Sequence, residues 1–206
     1  LAKIAELPGD FIIRFMTSHP RDASNKLFDT MARYPKIAKQ LHLPFRSGSS
    51  RVLKAMNRHY DRETYLEKVR YAKSVMPDLV LTSDVIVGFP GETDELFEET
   101  YTFLRDVVRP AFIHIFPYSR RAGTPAASRK DQVQDSVKTL RVQRLEALCQ
   151  ELHEEFVSAH KGLTGKVLFE STDRNGMMEG YTENYIRVTA PYDSAAINNI
   201  VEIEIK

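Results

Sequence analysis

The sequence predicts an α/β protein, in which a parallel sheet wound with helices is followed by a small all-β module. Three observations carry this. Over the first three quarters of the chain, apolar runs of strand character alternate with amphipathic segments of helical period, a spacing that suits right-handed crossovers. The stretch "SVMPDLVLTSDVIVG" is near-continuously apolar, as expected of a strand covered on both faces. After Gly162 the pattern changes to short strands punctuated by turn residues.

The elements follow in order. "FIIRFM" reads as a strand, Ala23 to Tyr34 as a helix, "QLHLPF" as a strand, then "SSRVLKAM" and Arg62 to Val75 as helices. "LVLTSDVIVG" is the buried strand. It leads into a helix from Asp94 to Val107, where Thr93 can cap, Asp94 and Glu95 suit the positive first turn, and Phe97, Thr100, Tyr101 and Leu104 share a face. "FIHIFP" is the next strand. A long helix from about Val133 to His160 aligns Leu140, Leu145, Leu148, Cys149, Leu152 and Phe156 on one stripe and stops at Gly162. The tail reads as strands "KVLFES", "DRNGMMEGYT", "NYIRVTA" and "NNIVEIEIK", with Arg174-Asn175-Gly176 as a hairpin signal. This divides the chain into 1–162 and 163–206. A β module of about forty residues is too small to be stable alone, and its barrel is expected to be incomplete within this chain.

Composition narrows the function. The 206 residues carry 29 Lys and Arg against 28 Asp and Glu, so no broad positive field invites a polyanion and any RNA contact must be local. The single cysteine, Cys149, excludes an intramolecular disulfide framework and is expected in the core. No apolar run approaches the ~18 residues of a membrane span, and "LAKIAELPGD" lacks the pattern of a secretory signal. A cytoplasmic, reducing setting is therefore expected. The chain opens without methionine and closes in mid-alternation, so it is expected to be a piece of a longer protein.

Ligands of parallel α/β folds bind at the carboxyl ends of the strands, which here are "TSHPRD", "LHLPFRSGSS", "SDVIVGFPGET" and "FPYSRRAGTP". Each has two readings. Ser18 and His19 are placed to touch a ligand, while Asp22 or Ser24 serves as a helix cap. His42 is either a hydrogen-bonded core residue or a site residue. Ser47, Gly48 and Ser49 either present backbone N–H groups to an anion or cap a helix. "GFPGE" lacks the lysine of a Walker turn and the third glycine of the dinucleotide fingerprint. Its Gly88 and Gly91 either admit a flat ligand close to the backbone or redirect the chain. No Gly-x-Ser-x-Gly elbow, His-Glu-x-x-His helix or Cys-x-x-Cys pair occurs, which argues against hydrolytic and metal centres.

Taken together, "IRFMTSHPRDAS", "LHLPFRSGSSRVLKAMNRHYDRETYLEKV", "TSDVIVGFPGETDELFEET", "YSRRAGTPAA" and "GYTENYIRV" resemble the radical S-adenosylmethionine (SAM) methylthiotransferases that modify tRNA. The resemblance implies a partial (β/α) radical SAM barrel over 1–162 and an OB-like TRAM module, which binds RNA, over 163–206. It also implies two [4Fe-4S] clusters, an electron donor to reduce them, and ligands outside this chain, because the family's Cys-x-x-x-Cys-x-x-Cys triad has no counterpart here. One SAM would supply a methyl group to sulfur, and another would be cleaved reductively to a radical that activates a C–H bond. Matching strand ends carry over His42, Arg46 and Ser47, then Asp84, Val87, Gly88 and Glu92, then Phe116 and Tyr118 as SAM contacts.

Arg46 departs from the pattern, since the family usually has glutamine there, and a guanidinium donates only. The TRAM resemblance marks Lys161, Lys166, Arg174, Tyr181, Asn184, Tyr185 and Arg187 as the RNA surface, with a tRNA anticodon stem-loop as partner. "TSHP" with "MNRHYDRE" most resembles the branch acting at carbon 2 of N6-isopentenyladenosine beside the anticodon. "HIFPYSRRAGTPAA" is also similar to the branch acting on N6-threonylcarbamoyladenosine, and a third branch modifies a ribosomal-protein aspartate. Two readings remain open beside these: a non-catalytic RNA-binding module on a scaffold barrel, and a barrel enzyme for another phosphate-bearing ligand.

Overall fold

A computed structural model describes residues 1–16 and 19–205, with 171–174 described by their backbone alone. Its first layer is a three-stranded parallel sheet, β1 (Gln40–His42), β2 (Val80–Val87) and β3 (Phe112–Pro117), in that order. "FIIRFM", expected as a strand, contributes only an isolated bridge between Ile13 and Ile37, so it forms no ladder with β1. A short helix, α1 (Ala2–Ala5), precedes it, and α2 (Asn25–Arg33) leads to β1.

Helices α3 (Ser50–Ala55) and α4 (Arg62–Val75) cross from β1 to β2. Asp61 caps α4 by accepting from the Thr64 amide at 2.8 Å, and Tyr65, Val69 and Ala72, one face at helical spacing, are buried. Helix α5 (Asp94–Thr102) is capped by Thr93 as expected, but its last turn widens into a π-helical stretch, Phe103–Val108. The wider turn lets Phe103, Leu104 and Val108 face inward together, and Arg109 closes it at φ 45°.

Helix α6 (Asp135–His160) packs across β3 and β2. Its buried stripe is Lys138, Arg141, Leu145, Leu148, Cys149 and Leu152. Leu140, expected on that stripe, is 61% exposed, because the inward stripe steps from Lys138 to Arg141 to Leu145 at three- and four-residue spacing and passes it by. No helix among the described residues is long and apolar enough to cross a membrane.

The second layer is a four-stranded antiparallel sheet: β4 (Thr164–Arg174), β5 (Met177–Thr182), β6 (Arg187–Pro191) and β7 (Ile200–Glu204), ordered β6-β5-β4-β7. The β4–β5 hairpin closes on Asn175 and Gly176 at φ 60° and 75°, the paired left-handed geometry that an Asn-Gly turn favours. A separate small core, including Val167, Phe169 and Met178, lies beneath this sheet. The Arg14 guanidinium joins the two layers by donating to the Thr182 carbonyl and stacking 4.1 Å over the Tyr185 ring.

Candidate functional site

The turn after β2 is built by α6. The Gly88 amide donates to Glu92 Oε1 at 2.7 Å, and Arg141 Nη1 donates to the same oxygen at 2.8 Å and to the Glu92 carbonyl at 3.2 Å. Arg141 Nη2 reaches Asp94 at 2.7 Å. Glu92 and Arg141 are 4% and 5% exposed. Burial pushes the Glu92 carboxyl up, opposed by the Gly88 amide and by Arg141.

Both glycines hold a left-handed backbone, and Gly88 is also required by the protein's own packing. A Cβ on Gly88, at φ 70°, would lie 2.3 Å from Lys138 Cγ, and one on Gly91, at φ 83°, would lie 2.6 Å from Arg129 Nη2. Lys138 and the Arg129–Asp131 pair therefore fill the space that the sequence reading offered to a flat ligand. Val87 is fully buried in the core.

Ser47 is likewise sealed. It is fully buried, its hydroxyl pairs with Thr100 at 3.1 Å, and the Gly48 and Ser49 amides are satisfied by Thr100 Oγ1 and Ser47 Oγ. The two amides that precede α3 are thus spent internally, while its N-cap, Ser49, makes no side-chain cap bond.

The inward face of the parallel sheet is different. Gln40 Nε2 donates to Thr82 Oγ1 at 3.1 Å, Thr82 Oγ1 lies 3.0 Å from His42 Nδ1, and His42 Nε2 lies 3.3 Å from Asp84 Oδ1. Donor counting assigns one direction: amide to hydroxyl, hydroxyl to Nδ1, and Nε2–H to carboxylate. Arg46 completes the chain by pairing with the other Asp84 oxygen at 3.1 Å, and its backbone holds φ 74°, a strained conformation for a non-glycine.

Burial lowers the His42 pKa, Asp84 pulls it up, and His114 and Arg46 push it down, so the neutral imidazole is favoured. His114 stands 5.7 Å from His42 between ring centroids. The ligand atoms of His42, Asp84 and His114 lie within 4.8 Å of one another, yet a guanidinium already neutralises the carboxylate. His42 and Asp84 are joined by a hydrogen bond, whereas His114 meets His42 only ring to ring.

This network faces a cavity of about 800 Å³ at the seam between the sheets. The barrel side contributes Gln40, His42, Thr82 and His114, and the β module contributes Tyr181, Asn184, Tyr185 and Arg187. One expected SAM contact and four expected RNA contacts thus share one space. Tyr185 is held at φ 66° with its ring 46% exposed, and Arg187 pairs with Glu179 at 2.5 Å. Lys161 and Lys166 are exposed but do not line the cavity, and the side chain of Arg174 lies outside the described residues, as does Ser18.

Farther along β3, Phe116 is exposed, while Tyr118 packs edge-on against Phe89 at 5.1 Å with a buried hydroxyl that has no partner among the described residues. His19 packs edge-on against Tyr60 at 5.1 Å. The sequence reading missed Arg14, Gln40, Thr82, Phe112 and His114. For two of these a signal existed, because alternation along "FIHIF" puts Phe112 and His114 on the same face as Phe116.

Comparison with known proteins adds the following. The chain is 46% identical over 195 residues to the tRNA-2-methylthio-N(6)-dimethylallyladenosine synthase of Bacillus pumilus (strain SAFR-032), covering 94% of this chain and 38% of that protein. It is 39% identical over 197 residues to the threonylcarbamoyladenosine tRNA methylthiotransferase MtaB of Bacillus subtilis (strain 168), covering 94% of this chain and 44% of that one. The chain thus spans less than half the length of these curated relatives. Coproporphyrinogen III oxidase (HemN) from Escherichia coli, described as a radical SAM enzyme, shares the fold with a TM-score of 0.55 at 15% identity, over 81% of this chain and 45% of that one. The family model of the Radical SAM superfamily matches residues 1–104, half of the sequence. On that match, and with a parallel α/β sheet of the corresponding fold, this chain belongs to the radical SAM superfamily.

Proposed function

We propose that the chain is the substrate-facing part of a tRNA methylthiotransferase that acts at carbon 2 of N6-isopentenyl (dimethylallyl) adenosine beside the anticodon. Residues 1–162 are assigned to the later part of the radical SAM barrel and 163–206 to a TRAM-like module. The observation that carries this reading is the seam cavity, which joins the His42 network of the barrel to Tyr181 and Tyr185 of the β module. Two exposed tyrosines beside a directional polar network suit a splayed-out base, stacked on one side and hydrogen-bonded at its edge.

The residues present fit SAM. Arg46, Asp84 and His42 offer donors and a carboxylate for its polar groups, Phe116 offers an exposed ring, and the unpartnered Tyr118 hydroxyl offers a further hydrogen bond. When bound, SAM supplies the methyl group and, on one-electron reduction, the hydrogen-atom abstraction. Within this chain Arg46 fixes one Asp84 oxygen, His42 fixes the other, and Arg141 holds the β2 turn through Glu92. A cluster does not fit here. Cys149 accepts from the Ile113 amide at 3.3 Å inside the core, and burial pushes its thiol up, so both [4Fe-4S] clusters are assigned to residues outside this chain, along with docking of the electron donor.

The test uses the full-length protein, reconstituted with iron and sulfide without oxygen and supplied with SAM, a reductant and an anticodon stem-loop. Mass spectrometry of the digested RNA should find a methylthio group on dimethylallyladenosine. Product on threonylcarbamoyladenosine alone would favour the activity named for the 39%-identical relative, and no product on either adenosine would overturn the reading.

A further inference from the structure

We infer that the apolar patch of the seam cavity, formed by Val80, Ala111, Phe112 and Phe156, seats the N6 substituent of the substrate base and selects dimethylallyl over threonylcarbamoyl. This rests on the function proposed above and adds which residues choose between its two substrates. The cavity wall has two kinds of surface side by side. The Gln40–Thr82–His42 hydrogen-bond chain runs along an apolar patch, with Val80 in register with Gln40 and Phe112 in register with Thr82. The Phe112 ring lies between two imidazoles, 4.9 Å from that of His114 and 6.1 Å from that of His153. It is 40% exposed although it is a large aromatic on a sheet strand, so surface remains there for a ligand to cover.

An N6-alkylated adenine carries the same two kinds of surface, with a flat polar base and a five-carbon apolar tail. The competing threonylcarbamoyl group ends in a carboxylate, which needs a cation when it leaves water. Both guanidiniums that line the cavity are committed. Arg14 donates to the Thr182 carbonyl and lies over Tyr185, and Arg187 pairs with Glu179 at 2.5 Å. His153 turns Nδ1 to the Ala111 carbonyl at 3.1 Å. A carboxylate on this patch would face rings, whereas each methylene of a dimethylallyl group would leave water for them.

The experiment measures equilibrium binding of the full-length protein, by fluorescence anisotropy at pH 8, to three anticodon stem-loops carrying dimethylallyladenosine, threonylcarbamoyladenosine or plain adenosine. The wild type should bind the first at least about tenfold more tightly than the other two. Phe112→Arg should compress that preference to within about twofold, and Phe112→Leu should keep most of it. Thermal melting monitors folding, and Phe156→Ala, from the opposite wall, should compress the preference by itself. Equal wild-type affinities for the three RNAs, or variants that weaken all three by one factor, would overturn the inference while methylthio product still supports the function. Binding to none of the three would overturn both.

Discussion

Two stretches of the same strand behave oppositely. At its carboxyl end β2 enters Gly88-Phe89-Pro90-Gly91-Glu92, which is closed from behind by Lys138 and Arg141 of α6 and leaves no room for so much as a methyl group at Gly88. Along its middle, Thr82 looks into an open cavity and, with Asp84 behind His42, carries a directional hydrogen-bond chain. The contrast teaches that a conspicuous glycine pattern can mark where a protein packs against itself. Cavity-facing groups here sit on alternating strand positions that attract no notice one by one.

The largest expected effect breaks the closed stretch. Arg141→Met leaves the Glu92 carboxylate buried without its cation and should cost about 3–5 kcal/mol in chemical denaturation, the usual penalty for half of a buried pair. A loss under about 1 kcal/mol would mean that the turn does not depend on α6. Gly88→Ala should cost about 1–3 kcal/mol through overpacking against Lys138. Adding Lys138→Ala should recover a measurable part of that loss, and strict additivity of the two variants would contradict the contact.

These two positions also show what could be read from residues alone. The Thr93 cap, the bounds of α4 and β3, and the Asn175-Gly176 hairpin were legible, since each depends on neighbours in sequence. The inward cations of α6 were not, because a lysine and an arginine read as solvent-facing until Glu92 is brought against them by β2. The polar chain was partly legible. His42 and Asp84 were both expected as ligand contacts, but Gln40 and Thr82 join them only through the register that sets His42 beside Thr82. Nothing local announces that Tyr185 will close over Arg14, a residue far away in the chain.

Smaller effects sharpen the open stretch. Arg46→Gln installs the neutral amide expected from the family resemblance and should leave stability within about 1 kcal/mol, as for a partly exposed ion pair. It removes one of the charges that push His42 down, so the His42 pKa, followed by NMR, should rise; an unchanged titration would separate Arg46 from the network.

The smallest effect is on pH dependence. His42 is held below its ordinary 6.5 by burial, with Asp84 opposing and His114 and Arg46 assisting. The unfolded chain therefore binds the proton more tightly, and stability should fall as pH drops below about 6.5 and level off once the folded state also protonates. His19, also lowered, contributes in the same sense, so His42→Gln should flatten the slope without abolishing it. An identical slope in the variant would remove His42 from the account.

The seam cavity as the seat of an RNA base is tested most directly by Tyr185→Gly in the full-length protein. At φ 66° glycine is the residue best suited to that backbone, which offsets the loss of the Arg14 stacking contact, so the fold should stay about as stable while the ring is lost. Affinity for the dimethylallyladenosine stem-loop should then fall by about 1–3 kcal/mol, the worth of one stacked base, with the melting temperature little changed. Full RNA affinity in a folded Tyr185→Gly protein would place the base elsewhere and contradict the account.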